Sequence, residues 1–147
     1  KALHDALAAA GFEPESSDDI QRDVWFKLWG NMTMNPVSAI TGATTDKILD
    51  DPQTREFCSA VMREAQTIGN QIGIPIAQTP DERHAVTRKL GAMKTSMLQD
   101  VEARKGIELD ALVAAVCEIG QKVNVSTPYT DALLGLTRLM ARGRGLY

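Results

Sequence analysis

The placement of proline constrains the fold of this chain more than any other feature. Three times a capping residue is followed at once by proline and then by apolar residues at helical spacing: Asp51-Pro52, Thr79-Pro80 and Thr127-Pro128. Proline lacks an N–H, which the first turn of a helix does not need, and its fixed φ suits the first helical position. Each pair therefore reads as a helix start. At Thr79 the signal is doubled, because Glu82 is spaced to reach back to the cap and complete a capping box. Glycines supply stops: Gly11, Gly42, Gly73 and Gly106 each close a periodic segment. Nowhere does the long alternation of a half-buried strand appear. An all-α domain of six or seven helices is expected, and 147 residues is one-domain length.

The segments follow from these signals. KALHDALAAA forms a short helix, and the polar stretch around Pro14 reads as a loop or one edge strand. The next helix starts at the caps and acids of SSDDI and is expected to run to about Thr33. Pro36 should disturb it, with VSAITG adding a turn that stops at Gly42. After Pro52, Phe57, Val61, Ala65, Ile68 and Ile72 line one face. ELDALVAAVCEIGQKV reads as one helix burying Leu109, Leu112, Val113, Val116 and Ile119. TPYTDALLGLTRLMA turns Leu133, Leu136 and Met140 inward.

Charge and composition narrow the function. The net charge is −3, and Lys and Arg are scattered, so neither nucleic acid nor a membrane surface is an expected partner. No apolar run approaches the roughly 20 residues that span a bilayer. Cys58 and Cys117 sit inside apolar helical patterns and read as buried free thiols of a reducing compartment, the cytoplasm. His4 and His84 lack metal-ligand spacing, and no metal site is expected. There is no glycine-rich phosphate loop and no Gly-x-Ser-x-Gly elbow.

The segment WFKLWGNMTMNP sets Lys27, Asn31 and Asn35 at steps of four. On a helix they form a gently spiralling stripe. Spacing alone favours a solvated face over a polar seam. Trp25 and Trp29 flank the stripe, and a lysine held among them would be partly desolvated and a readier proton donor. A second group is KTSMLQDVEARKGIELD, with Ser96, Asp100 and Glu108 as polar members. Taken singly, Ser96 reads as a helix cap, Asp100 as an exposed acid and Glu108 as a first-turn acid.

Together, WFKLWGNMTMNPVSAITG, KTSMLQDVEARKGIELD and VSTPYTDAL resemble the C-terminal domain of the 2-dehydropantoate 2-reductase (ketopantoate reductase) family. The most specific element is Ser-Met-x-x-Asp followed by Gly-x-x-Glu-x-Asp. The resemblance runs over nearly the whole chain, and no functional position departs from the family pattern.

The resemblance implies a helical domain of the 6-phosphogluconate dehydrogenase C-terminal type over residues 19–147. Residues 1–18 would be the remnant of a preceding Rossmann domain, its last helix with an edge strand or linker. That absent domain would hold NADPH, so no cofactor-binding residues are expected here. The implied reaction reduces 2-dehydropantoate to pantoate, toward pantothenate and coenzyme A. By residue match, Lys27 would donate the proton and Glu108 would orient the substrate beside it, holding the lysine in its charged form. Asn31, Asn35 and Ser96 would bind the substrate, and Asp100 would brace the loop. Two alternatives stay open: a reductase of another small 2-keto acid, or a non-catalytic helical dimerisation module. A homodimer or self-associating fragment is expected, from apolar surface left uncovered.

Lacking a phosphate loop, these residues alone should not bind NADPH measurably. Titration calorimetry should show no saturable heat; tight binding would contradict this division of labour.

Overall fold

The computed structural model describes residues 1–147 as eight α-helices and one π-helical turn, with no strand. In order they are α1 (Ala2–Ala9), α2 (Ile20–Thr41), α3 (Thr45–Asp50), α4 (Pro52–Gln71), α5 (Pro80–Arg88) and α6 (Ser96–Glu102). The π-turn (Asp110–Ala114), α7 (Ala115–Lys122) and α8 (Pro128–Gly143) follow. The fold is all-α, and residues 19–147 hold the seven helices α2 to α8.

The proline starts form as expected, with one difference. Asp51 accepts from the Thr54 amide at 2.7 Å, and Thr79 with Glu82 closes the capping box. Thr127, however, makes no side-chain cap. Glu64 of α4 caps α8 in its place, accepting from the amides of Tyr129 and Thr130 at 2.9 Å each. A carboxylate at a helix N-terminus satisfies free amides and favours the dipole, so α8 is tied to α4 at its first turn.

Helix α2 is the axis of the domain. Its 22 residues span about 33 Å at the usual rise. Every residue from Met32 to Ala39 is buried. Its C-terminal half is thus enclosed by neighbours, and α2 lies against α3, α4, α6, α8 and the π-turn. Trp25, Trp29, Met32 and Val37 join a cluster with α3, α4 and Leu133. Nearer the C-terminal end of α2, Ala39 joins a second cluster with α6, the π-turn and Ala141 of α8. The Trp29 indole donates to the Met62 carbonyl at 2.9 Å, so even its one polar atom is satisfied in the core.

Pro36 does not interrupt α2, contrary to the break expected after Thr33. The proline forfeits one ladder hydrogen bond and costs about 3 kcal/mol in a free helix. Here it is buried among neighbours on all sides, and packing holds the helix through it to Gly42, which ends it at φ 70°. Two further expectations shift. Leu136 is 59% exposed, because α8 packs through Thr130, Leu133, Thr137 and Ala141. Thr137 donates to the Leu133 carbonyl at 2.7 Å, which makes a buried threonine inexpensive. Residues 12–19 form no strand, and α1 buries none of its residues.

Two glycines should respond oppositely to the same change. A Cβ at Gly69 would sit 2.6 Å from the Trp25 indole nitrogen and 2.9 Å from the Ile74 carbonyl oxygen. Gly69→Ala should therefore destabilise by about 1–3 kcal/mol, as overpacking does. Gly135, inside α8, meets nothing within 4 Å, and Gly135→Ala should stabilise by about 0.5–1 kcal/mol. Urea unfolding midpoints check both signs.

Candidate functional site

The polar stripe of α2 faces a cleft of about 490 Å³. Val24, Lys27, Leu28, Asn31 and Asn35 form one wall. These positions share one helix face, spaced three and four apart. Burial deepens along the stripe: Lys27 is exposed, Asn31 half-buried and Asn35 only 6% exposed.

Ser96 stands across the cleft at the first position of α6. It does not cap that helix. Thr95 does, accepting from the Leu98 amide at 3.2 Å, which leaves the Ser96 hydroxyl free to face α2. The Asn35 amide donates to that hydroxyl over a long 3.4 Å. The remaining wall comes from Glu108, Ala111 and Leu112. Glu108 precedes the helix rather than lying within it, and the chain then enters the π-turn. Such turns are rare and concentrate at functional sites. The extra residue in the turn breaks the single buried face expected from 109 to 119: Leu109, Val113 and Val116 are buried, while Leu112 is half-buried at the cleft.

All five residues singled out from sequence thus border one cleft, although they come from three separate segments. Two details differ from expectation. Lys27 is exposed rather than desolvated among the tryptophans, because Trp25 and Trp29 point into the core on another face. Nor does Lys27 form an ion pair with Glu108. Asp100 does not line the cleft; its backbone carbonyl accepts from the Lys105 amide at 2.8 Å, closing the turn after α6. The apolar wall of Val24, Leu28, Ala111 and Leu112 went unnoticed in sequence. For Val24 and Leu28 the signal was present, since both share the helical period of Lys27.

Other reactive groups lie elsewhere. Cys58 and Cys117 are free, and burial pushes both thiols up to about 12, so neither is a nucleophile. No His, Cys, Asp and Glu cluster has metal-binding geometry, and no helix is long and apolar enough to cross a membrane. His84 is buried in α5, with Nε2 2.9 Å from the Ser59 hydroxyl.

Comparison defines the class: the C-terminal, helical part of a reductase family. The model described as "Ketopantoate reductase PanE/ApbA C terminal" matches residues 19–141, and the chain belongs to that family. A 2-dehydropantoate 2-reductase of Mesorhizobium japonicum is 43% identical over 145 residues, 99% of this chain and 44% of that protein. A crystal structure from Ralstonia solanacearum MolK2, provisionally assigned as a ketopantoate reductase, has a TM-score of 0.95 at 60% identity, covering 99% of this chain and 44% of that one. The 2-dehydropantoate 2-reductase of Methylococcus capsulatus has a TM-score of 0.91 at 26% identity, over 97% and 50%. The chain spans no more than half the length of these relatives.

Burial sets the pH response of His84. It holds the imidazole below its usual 6.5; nearby Asp81 and Glu56 oppose the shift, while Arg55 and Arg88 add to it. A lowered folded value means that the unfolded chain takes up the proton first. This contribution to stability is complete above 6.5 and is lost as pH falls through 6.5 toward the folded value. The urea midpoint should therefore drop between pH 7.5 and 5.5, and drop less in His84→Gln. An equal drop in both proteins would contradict the assignment.

Proposed function

We propose that this chain is the substrate-binding and catalytic half of an NADPH-dependent 2-dehydropantoate 2-reductase, acting with a cofactor domain to which residues 1–18 belong. The observation that supports this most is the convergence of Lys27, Asn31, Asn35, Ser96 and Glu108 on one cleft within a chain of this family.

The cleft suits a small 2-keto acid bearing a hydroxyl. NADPH, held mainly by the other domain, would supply hydride to the ketone carbon. Hydride addition leaves an alkoxide, and the Lys27 ammonium at the cleft mouth stabilises it and then donates its proton to that oxygen. Asn31 and Asn35 offer neutral amides to the substrate hydroxyl and carboxylate, and the Ser96 hydroxyl donates to the carboxylate. Glu108 faces them and orients the substrate hydroxyl. Val24 and Leu28 beside Lys27 give the substrate's methyl groups an apolar wall.

The exposure of Lys27 fits this division. Ile20, Val24 and Phe26 expose apolar surface on the same half of α2. A second domain seated there would exclude water from Lys27 and strengthen its charge interactions. Without that domain the same surface favours self-association of the chain.

Kinetics of the two-domain protein test the roles. Lys27→Ala should lower kcat and kcat/KM together by about 10²- to 10⁴-fold, the usual worth of a general acid. Asn31→Ala and Ser96→Ala should chiefly raise KM. A well-folded Lys27→Ala protein keeping more than about a tenth of kcat would remove the lysine from the chemistry.

A further inference from the structure

The segment that carries Glu108 has little structure of its own. Residues 103–108 lie between α6 and the π-turn without regular hydrogen bonding, and Arg104 takes the left-handed φ of 55°. What fastens this segment is the run of residues that follows α8.

That run is itself built by a defined turn. Helix α8 ends in a Schellman motif: Gly145, at φ 69°, donates to the Arg142 carbonyl, and Leu146 donates to the Ala141 carbonyl at 2.8 Å. The motif drives the Leu146 side chain, 4% exposed, into the second core cluster beside Ile107. The Leu146 carbonyl then accepts from the Ile107 amide at 3.1 Å. One residue on, the Tyr147 hydroxyl donates to Asp110 Oδ1 at 2.6 Å, while its ring lies under the Arg142 guanidinium at 5.4 Å. Ile107 immediately precedes Glu108, and Asp110 opens the π-turn two residues after it. The strap therefore grips the chain on both sides of Glu108, using one backbone bond, one side-chain bond and one buried side chain.

We propose that Leu146 and Tyr147 are positioning residues for Glu108: they set the height and direction of its carboxylate at the cleft wall and hold the π-turn that presents Ala111 and Leu112. The proposal rests on the reading of Glu108 as a substrate contact. Neither Leu146 nor Tyr147 lines the cleft, so both act through the segment they hold. Without the strap, residues 103–110 keep the turn closed by Asp100, the 3.2 Å bond from the Leu112 amide to the Glu108 carbonyl and the burial of Ile107 and Leu109, and the Glu108 carboxylate samples several positions.

Two measurements test this and separate it from the proposed reaction. The first uses this chain alone and needs no activity. Amide hydrogen exchange across 107–112 should quicken about three- to tenfold in Tyr147→Phe, the worth of one hydrogen bond, and more in Leu146→Ala, with α4 unchanged. Unchanged exchange at 107–112 in Tyr147→Phe would overturn the strap. The second uses the two-domain protein with 2-dehydropantoate and NADPH. Tyr147→Phe should raise KM for the keto acid about three- to tenfold and leave KM for NADPH alone. In a Glu108→Gln background the same change should have no further effect, because its target is already lost. Equal effects in both backgrounds would mean that Tyr147 does not work through Glu108. If the two-domain protein reduces no 2-keto acid, the proposed function fails, and exchange alone decides the strap.

Discussion

Burial of α2 on every side is the constraint on which the rest of the structure depends. Between Met32 and Ala39 every residue of this helix is buried, with Asn35 at the floor of the cleft, so its faces are set by its neighbours. The two apolar clusters hold it at different heights, and the Trp29 indole ties it to α4 through the Met62 carbonyl. Full burial of one large apolar side chain is worth about 1.5–3 kcal/mol, so several along one helix outweigh the cost of an internal proline. The result is a rod that cannot rotate. The stripe of Lys27, Asn31 and Asn35 is therefore held at a fixed angle, deep at Asn35 and open at Lys27.

A fixed rod needs a fixed opposite wall, and the chain builds it by less regular means. Thr95 takes over the cap of α6, leaving the Ser96 hydroxyl to the cleft. The π-turn opens the helix by one residue, so that Leu112 reaches the cleft while Leu109 and Val113 stay in the core. Both devices spend local regularity on aiming side chains, as sites that must be preformed do. The cleft is left open where Lys27 emerges, on the half of α2 that also exposes Ile20, Val24 and Phe26.

The regular parts of this arrangement were legible in sequence because they rest on local rules. Proline starts, glycine stops and the 3.6-residue period give α4, α5 and α8 from a few residues each. The five cleft residues were legible through resemblance, not through spacing, since spacing alone favours a solvated face for the Lys27, Asn31 and Asn35 stripe. What escaped was decided by tertiary contact. Pro36 stays helical because of packing, and Glu64 caps α8 from a different helix. Leu136 turns outward because the buried face of α8 runs through Thr130, Leu133, Thr137 and Ala141. The π-turn has no signature in the residues 110–114 themselves.

The central claim is that the α2 stripe is the wall against which a 2-keto acid is reduced. The most direct test is a crystal structure of the two-domain protein with NADP⁺ and pantoate. The account predicts the pantoate 2-hydroxyl within about 3.2 Å of Lys27 Nζ, as a proton donor requires, with its carboxylate held by Ser96 and Asn35. Pantoate seated elsewhere, for instance in the groove between α4 and α8 lined by Glu64 and Tyr129, would contradict it.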